Sequence, residues 1–416
     1  MDYSTDLERD SLPIENGRAA NGWLLVILAH LFGGELIQKA VLTLIHSRFA
    51  VPYKLDVIAI YGLIAYAALQ CFQDVVEEFP AREMLVFLAL GISFLMSWTV
   101  TIGYEDMFLA MIPDFLMGVV GYIFFRCVRD WKSLLNCFAK LSIVMTVSLA
   151  VYLWLVGGLE RYSMYLGYLV LGGVVTSGNE MIRRGSILHT TNTVFGLALL
   201  LSVGARGPVA CMLIFLVIRI AFDIGRNRRS LFALLLIAIA AFVLFQNFDT
   251  VVDTLISIFD RAHLSLRALQ KLQNTEFLSS NARLVRMKNA VEIIKEHLFT
   301  GVGIGRDRIH LVEIGQGIDY NPLKVIGNYA HNPFLELWMQ FGVIIGSGFI
   351  LLMLKTIFDG LFSSGRSRDA RDVVLIMLFV GFVPLLVSDS YFTRPAFFCA
   401  MAVCRAAAMN GSIEPA

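Results

Sequence analysis

Residues 328–355 read NYAHNPFLELWMQFGVIIGSGFILLMLK, and the fold turns on the change of character at Pro333. Beyond Pro333 the chain is apolar through Leu354, long enough for a membrane-crossing helix, which needs about 20 apolar residues. Before it, back to Asn247, the chain is polar. This segment carries most of the basic residues that do not sit in short loops. His331 closes the polar segment just where the apolar run begins. A large polar loop ending in a histidine, on a chain otherwise made of membrane-length runs, points to chemistry at a membrane surface.

Composition agrees. Hydrophobic residues make up 57% of the chain and charged residues 16%, against about 45–50% and about 25% in soluble domains. The formal net charge of +1 gives no basis for nucleic-acid binding. Cys71, Cys127, Cys137, Cys211, Cys399 and Cys404 are scattered, with neither CxxC nor metal spacing, and none lies in the large loop. The N-terminus is acidic and lacks the basic start of a cleaved signal peptide, so the first apolar run is expected to be retained.

Run lengths and flanking charges predict about twelve spans. They cover residues 22–45, 54–73, 84–103, 107–126, 134–156, 162–178, 186–205, 207–223, 230–247, 333–355, 373–390 and 394–411. The expected fold is an all-α polytopic membrane protein of about twelve transmembrane helices with one large loop that itself contains helices. Its divisions are a tail over 1–21, spans one to nine over 22–246, the loop over 247–332, the last three spans over 333–411, and a tail over 412–416. Basic residues cluster in four short connections: Arg126, Arg129 and Lys132; Arg183 and Arg184; Arg226, Arg228 and Arg229; Arg366, Arg368 and Arg371. All four fall on one side, which is therefore predicted to be cytoplasmic together with both termini. The 247–332 loop then lies outside. Loops beyond roughly 60 residues translocate whatever their charge, so its basic content is no objection.

Within that loop Leu284, Met287, Val291 and Ile294 recur at helical spacing, predicting a helix over Ala282–His297 with Asn281 as its N-cap. Gly301-Val-Gly-Ile-Gly305 follows and reads as a flexible turn.

Three groups of residues on the outer side can carry chemistry. Arg206 sits in Gly204-Ala205-Arg206-Gly207-Pro208 at a span edge. A cation there snorkels as an interfacial anchor or meets an anion, and its small neighbours allow a ligand near the backbone. Arg283 and Arg286 are three residues apart, on one face near a helix N-terminus. That end favours anions, so arginines there fit a bound phosphate or else belong to a solvated face. His331, with Asn332 and helix-initiating Pro333, is either structural or a base, since an imidazole accepts protons near neutral pH. His263, His297 and His310, on ordinary helix or turn surface of the same loop, are its internal controls. Gly301-x-Gly303-x-Gly305 lacks the dinucleotide spacing and follows a helix, so that reading is rejected. Glu292, Glu296, Glu313 and Asp319 show no metal-ligand pattern. Intramembrane ionisable residues are few, namely Glu35 with Lys39 and Asp114, too thin a set for an ion-coupled transporter.

Ala205-Arg206-Gly207-Pro208, then Arg283, then Thr300-Gly-Val-Gly-Ile-Gly305, then Ala330-His-Asn-Pro-Phe-Leu-Glu-Leu337 and Gly342 occur in an order that resembles the O-antigen polymerase/ligase superfamily of bacterial inner-membrane glycosyltransferases. The similarity runs from about Met164 to Gly346. The resemblance implies a GT-C-like helical fold in the bacterial inner membrane, with the large loop periplasmic and a catalytic cavity facing outward. It implies a glycosyltransferase that moves a glycan from an undecaprenyl-diphosphate carrier without metal or other cofactor. Carried over, Arg206 and Arg283, with Arg286, look like the diphosphate-binding arginines, and His331 looks like the histidine that activates the acceptor hydroxyl. Arg161, Tyr162, Tyr329 and Asn332 are expected glycan or acceptor contacts. A membrane-lipid environment and a chain-length regulator are the expected partners.

Polymerases join carrier-linked repeat units, whereas ligases deliver the chain to lipid A-core. The ligase pattern places Gly, Thr or Tyr three residues after Gly342, where this chain has Ile345. Glu160-Arg161-Tyr162-Ser-Met-Tyr-Leu-Gly-Tyr168 looks like a stretch of surface-polysaccharide polymerases, so an O-antigen polymerase is favoured over a ligase. A lipid or polysaccharide transporter is the remaining alternative. It would show inverted repeats and broken, more polar spans, of which there is little sign.

Overall fold

In a computed structural model the described residues are 35–48, 81–156, 164–203, 206–223, 282–316, 325–364, 367–387 and 389–410, with a few isolated positions. They form helices and their connections, with no strand among them. In chain order the helices are α1 (Glu35–Arg48), α2 (Ala81–Thr99), α3 (Glu105–Arg126), α4 (Trp131–Leu155), α5 (Met164–Arg184) and α6 (Ile187–Ser202). There follow α7 (Arg206–Asp223), α8 (Ala282–Glu296), α9 (Arg306–Gln316), α10 (Pro333–Ser363), α11 (Arg368–Val387) and α12 (Pro395–Asn410).

Four of these, α3, α4, α10 and α11, are long and apolar enough to cross a membrane, and shorter apolar helices lie at 83–99, 187–202 and 395–409. The predicted spans over 54–73 and 230–247 lie almost wholly outside the described residues, as does the first part of 22–45, so the number of spans stays an expectation. Large apolar side chains point outward along these helices, among them Leu88, Leu116, Val194, Leu351 and Phe362. In water such a surface would be a heavy liability, whereas lipid solvates it at no cost. The protein is a helical membrane protein.

The helices pack in two groups. One is α4–α7 with α1, the other α2, α3, α10 and α12, and α11 touches members of both. Phe392 joins the second group near the α2–α3 turn, stacking on Phe115 at 4.7 Å between ring centroids and on Phe94 at 5.2 Å. Helices α8 and α9 lie on the Pro333 end of α10.

The interior of the helical fold holds more charge than the sequence reading allowed. Arg219 is fully buried and bonds Asn179 Oδ1 at 2.8 Å, Asp223 at 3.0 Å and Asp372 at 3.3 Å. Arg183 reaches Asp369 at 2.5 Å, and Arg368 reaches Asp223 at 3.6 Å. The ends of α5 and α7 and the start of α11 therefore meet, which places two of the four basic connections at one end of the fold. These charges lie within a turn or two of polar loops, so in sequence they merge with loop charge. The tertiary fold pairs them, as burial demands. Lys39 lies over the Tyr165 ring at 4.3 Å.

Helix α11 contains a π-helical turn at Leu378–Phe382. Pro384 has no N–H to give the carbonyl four residues earlier. That carbonyl, Val380 O, accepts instead from Arg394 Nε at 3.2 Å and Nη2 at 2.8 Å. An arginine of the following turn thus fills the gap in the preceding helix.

Candidate active site

Helix α10 starts as its sequence dictates. Pro333 occupies the first turn, and Asn332 is the N-cap, its Oδ1 accepting from Phe334 N at 2.9 Å and Leu335 N at 3.2 Å. Oδ1 of Asn332, a residue expected to contact glycan, is taken up by this cap. The sharp entry is made at His331, whose φ of 54° is the sole positive value on a non-glycine among the described residues. Histidine tolerates that region better than most residues, at a cost of order 1–3 kcal/mol. The surrounding packing therefore holds His331 in a strained, fixed orientation.

The predicted loop helix is present as α8, and it delivers Arg286 to His331, with Nη1 2.7 Å from Nε2. A guanidinium only donates, so Nε2 is the accepting nitrogen and the ring proton sits on Nδ1. Arg283, one turn earlier, is exposed, its Nη2 4.0 Å from Met164 Sδ at the start of α5. The two arginines thus face the same way at different depths, Arg286 half-buried and Arg283 at the rim. Arg206 opens α7, but its side chain lies outside the described ones, and Arg161 and Tyr162 lie wholly outside.

Tyr329 joins His331 to a buried cluster. Its ring meets the imidazole edge-on at 4.5 Å, and the Arg308 guanidinium lies 5.6 Å from its centre. Burial, and secondarily the charge of Asp389, push its hydroxyl well above the ordinary tyrosine range, so it stays a donor. Arg308 is fully buried. Its Nη2 donates to Ser390 Oγ at 2.9 Å and Thr393 Oγ1 at 3.4 Å, and Nη1 donates to Ile326 O. Ser390 in turn donates to Glu336, and Tyr391 to Gln340 Oε1. Gln340 Nε2 reaches Asp307 Oδ2 at 3.1 Å and Glu336 Oε1 at 3.5 Å. Burial raises the Asp307 carboxyl above its usual range, against the pull of Arg308. The sequence reading missed Asp307, Arg308, Glu336, Gln340, Ser390 and Tyr391. Glu336 lay inside the quoted motif, and a carboxylate one turn into an apolar helix was the available signal.

The glycine segment is no flexible turn. Val302 and Ile304 are buried, and Gly301, Gly303 and Gly305 all have positive φ. Helix α10 breaks at Gly342 (φ 73°, ψ 170°). The break leaves carbonyls of the preceding turn without helical donors, and the glycine segment supplies them. Val302 N donates to Met339 O at 2.7 Å and Gly303 N to Gln340 O at 3.0 Å. Val343 N, displaced from its helical acceptor, donates to Leu298 O at 2.8 Å. The segment and the break therefore lock α8, which carries Arg286, onto the helix that His331 introduces. The sequence reading failed here because the donors and acceptors lie some forty residues apart.

Of the control histidines, His263 lies outside the described residues. His297 and His310 have ring centroids 5.8 Å apart, and His310 Nδ1 is 3.3 Å from Glu313. They are a partly buried pair rather than plain surface. Burial lowers the His310 pKa, with Glu313 opposing.

Residues 191–353 match the family model described as O-antigen ligase, in keeping with the resemblance to the O-antigen polymerase/ligase superfamily. The match spans less than half of the chain and takes in Arg206, Arg283, Arg286, His331 and Glu336. No curated protein matches the chain.

Proposed function

From a chain whose residues 191–353 match the O-antigen ligase family model, we propose a surface-polysaccharide polymerase of the bacterial inner membrane. It transfers a glycan from an undecaprenyl-diphosphate carrier to the terminal sugar hydroxyl of another carrier-linked repeat unit. The observation that carries this reading is the Arg286–His331 contact of 2.7 Å, a base and an anion-binding group in one place.

The acceptor hydroxyl loses its proton to His331 Nε2 as its oxygen bonds the anomeric carbon. The bond from that carbon to the diphosphate oxygen breaks, and the carrier diphosphate leaves with the electron pair. Arg206, Arg283 and Arg286 stabilise the charge it gains, arginine's fork matching phosphate oxygens. In the empty site Arg286 covers the Nε2 lone pair. A diphosphate competes for that guanidinium, because an anion is a stronger acceptor than a neutral imidazole. Substrate binding therefore uncovers the base. Tyr329 braces the ring by its edge-on contact, and the strained backbone at His331 fixes its direction. On this reading His331 faces the periplasm and the ends carrying Arg126 and Arg183 face the cytoplasm.

The test uses purified protein with carrier-linked repeat units as sole substrate. A ladder of longer carrier-linked glycans is expected, and His331→Ala should abolish it. Since the matching domain is described by the ligase activity, lipid A-core is supplied in a second arm. Product forming only there makes the protein a ligase.

A further inference from the structure

Between α2, α10 and α12, away from His331, lies a cavity of about 400 Å³. Its walls are apolar, with Phe87, Leu90, Phe349, Met353 and Met401 among them, and Leu337 and Tyr391 at its inner limit. Its other end is charged: Glu83, Lys355, Asp359 and Arg405 line it. We infer that this cleft holds an acyl chain of a cytoplasmic-leaflet phospholipid, with the lipid phosphate between Lys355 and Arg405. The leaflet assignment rests on the orientation proposed above.

Depth is the first argument. Helix α2 contributes only Glu83 to Leu90, in its first half, and α10 contributes chiefly Phe349 to Asp359, in its second half. At a rise of about 1.5 Å per residue, Asp359 lies roughly 40 Å along α10 from Pro333. Most of the lining thus lies toward the ends of α2, α10 and α12 remote from His331, and only Leu337 and Tyr391 reach back toward the candidate site's buried cluster. The long apolar shaft closing on a charged rim has the shape of a lipid tail and its headgroup.

Charge is the second argument. Glu83 receives Tyr122 Oη at 2.8 Å, Arg126 Nε at 3.1 Å and Arg405 Nε at 3.2 Å. Lys355 pairs with Asp359 at 2.6 Å yet is 68% exposed, and Arg405 is 31% exposed. The rim itself carries Lys355 and Arg405 against Glu83 and Asp359, and the buried Arg126 behind Glu83 adds a third cation, so the group as a whole has one positive charge in excess. Basic rims between helices on the cytoplasmic side are where anionic headgroups bind. A lipid with an apolar tail and one phosphate negative charge satisfies both halves of the site.

The experiment is native mass spectrometry of delipidated protein titrated with dioleoylphosphatidylglycerol, and in parallel with undecaprenyl phosphate. Wild type should take up one saturable phosphatidylglycerol. Lys355→Glu and Arg405→Gln should each weaken that uptake about tenfold, Leu90→Trp should block the shaft, and Lys140→Ala, an exposed lysine on α4, should change nothing. No saturable uptake, or uptake unchanged in both rim variants, overturns the site. Displacement of the bound lipid by undecaprenyl phosphate reassigns it to the carrier and also overturns the proposal. Running the glycan ladder on the same samples separates the readings. A ladder without lipid uptake sinks only the lipid site, and uptake without a ladder sinks only the polymerase reading.

Discussion

Replacing Gly342 by alanine tests whether the backbone lock holds the candidate site together. Its φ of 73° and ψ of 170° lie in a region reserved for glycine. An added Cβ would stand 2.5 Å from the Phe299 carbonyl carbon and 3.0 Å from Leu298 O. The backbone strain alone costs about 1–3 kcal/mol. To relieve it, the break must close or the 298–303 segment must lift away. Either way three backbone hydrogen bonds are lost, Val302–Met339, Gly303–Gln340 and Val343–Leu298, at about 0.5–1.5 kcal/mol each. Relieving the strain therefore costs roughly 1.5–4.5 kcal/mol in lost hydrogen bonds, a large fraction of ordinary stability. Gly348 lies on the same helix, and a Cβ there meets nothing within 4 Å, so Gly348→Ala is the matched control. Thermal unfolding in detergent and glycan elongation are read side by side. Gly342→Ala should unfold several degrees below wild type and lose at least tenfold in rate, because α8 and Arg286 move off His331. Gly348→Ala should match wild type in both. If the two variants behave alike, the segment is not a lock and the reasoning fails.

His331→Ala should lose about 10²–10⁴-fold in transfer rate, while His297→Ala and His310→Ala keep most of theirs; a tolerant His331→Ala would make the histidine structural. Arg206→Ala and Arg283→Ala should stop elongation without lowering membrane abundance, with lysine rescuing only partly because a point charge cannot bind bidentately; full activity of both alanine variants would refute the diphosphate role. A cysteine placed within Asp319–Pro322 should react with a membrane-impermeant thiol reagent in intact spheroplasts and one at Arg228 should not, and the reverse pattern would invert the orientation. Asp307 is held above its usual range, so its contribution to stability is present at low pH and is lost as pH rises through its folded-state pKa; Asp307→Asn, which keeps an acceptor for Gly305 N, should flatten that part of the Tm-against-pH curve.

What could be read in the sequence is what lipid and local geometry impose. The spans over 107–126 and 134–156 reappear as Glu105–Arg126 and Trp131–Leu155, because an apolar run of that length has one outcome in a bilayer. The Asn332–Pro333 start and the α8 helix were legible for the same local reason. Helix α10 outruns its predicted end at residue 355 and continues to Ser363. The Lys355–Asp359 pair lets the helix carry charge past the apolar run. Helix α9 went unread because Asp307 and Arg308 look like solvent-facing charges beside glycine. They are buried because partners arrive from positions 336, 340 and 390. The Arg286–His331 contact likewise joins residues 45 apart. Each missed feature is a pairing across distant segments, which no local pattern encodes.

The proline in α11 ties two separate positions into a single heritable unit. Pro384 deprives Val380 O of its helical donor, and Arg394 replaces it with two of its own. The dependence runs mainly one way: Arg394 also pairs with Asp389 and lies over the Tyr168 ring at 4.7 Å, but with Pro384 in place the Val380 carbonyl relies on it. A lineage that loses the arginine should therefore lose the proline more readily than the reverse. The ten-residue interval between them should resist insertion and deletion more than the loops on either side. That constraint would also hold Ser390 and Tyr391, which lie inside the interval, at a fixed height beside Glu336 and Gln340.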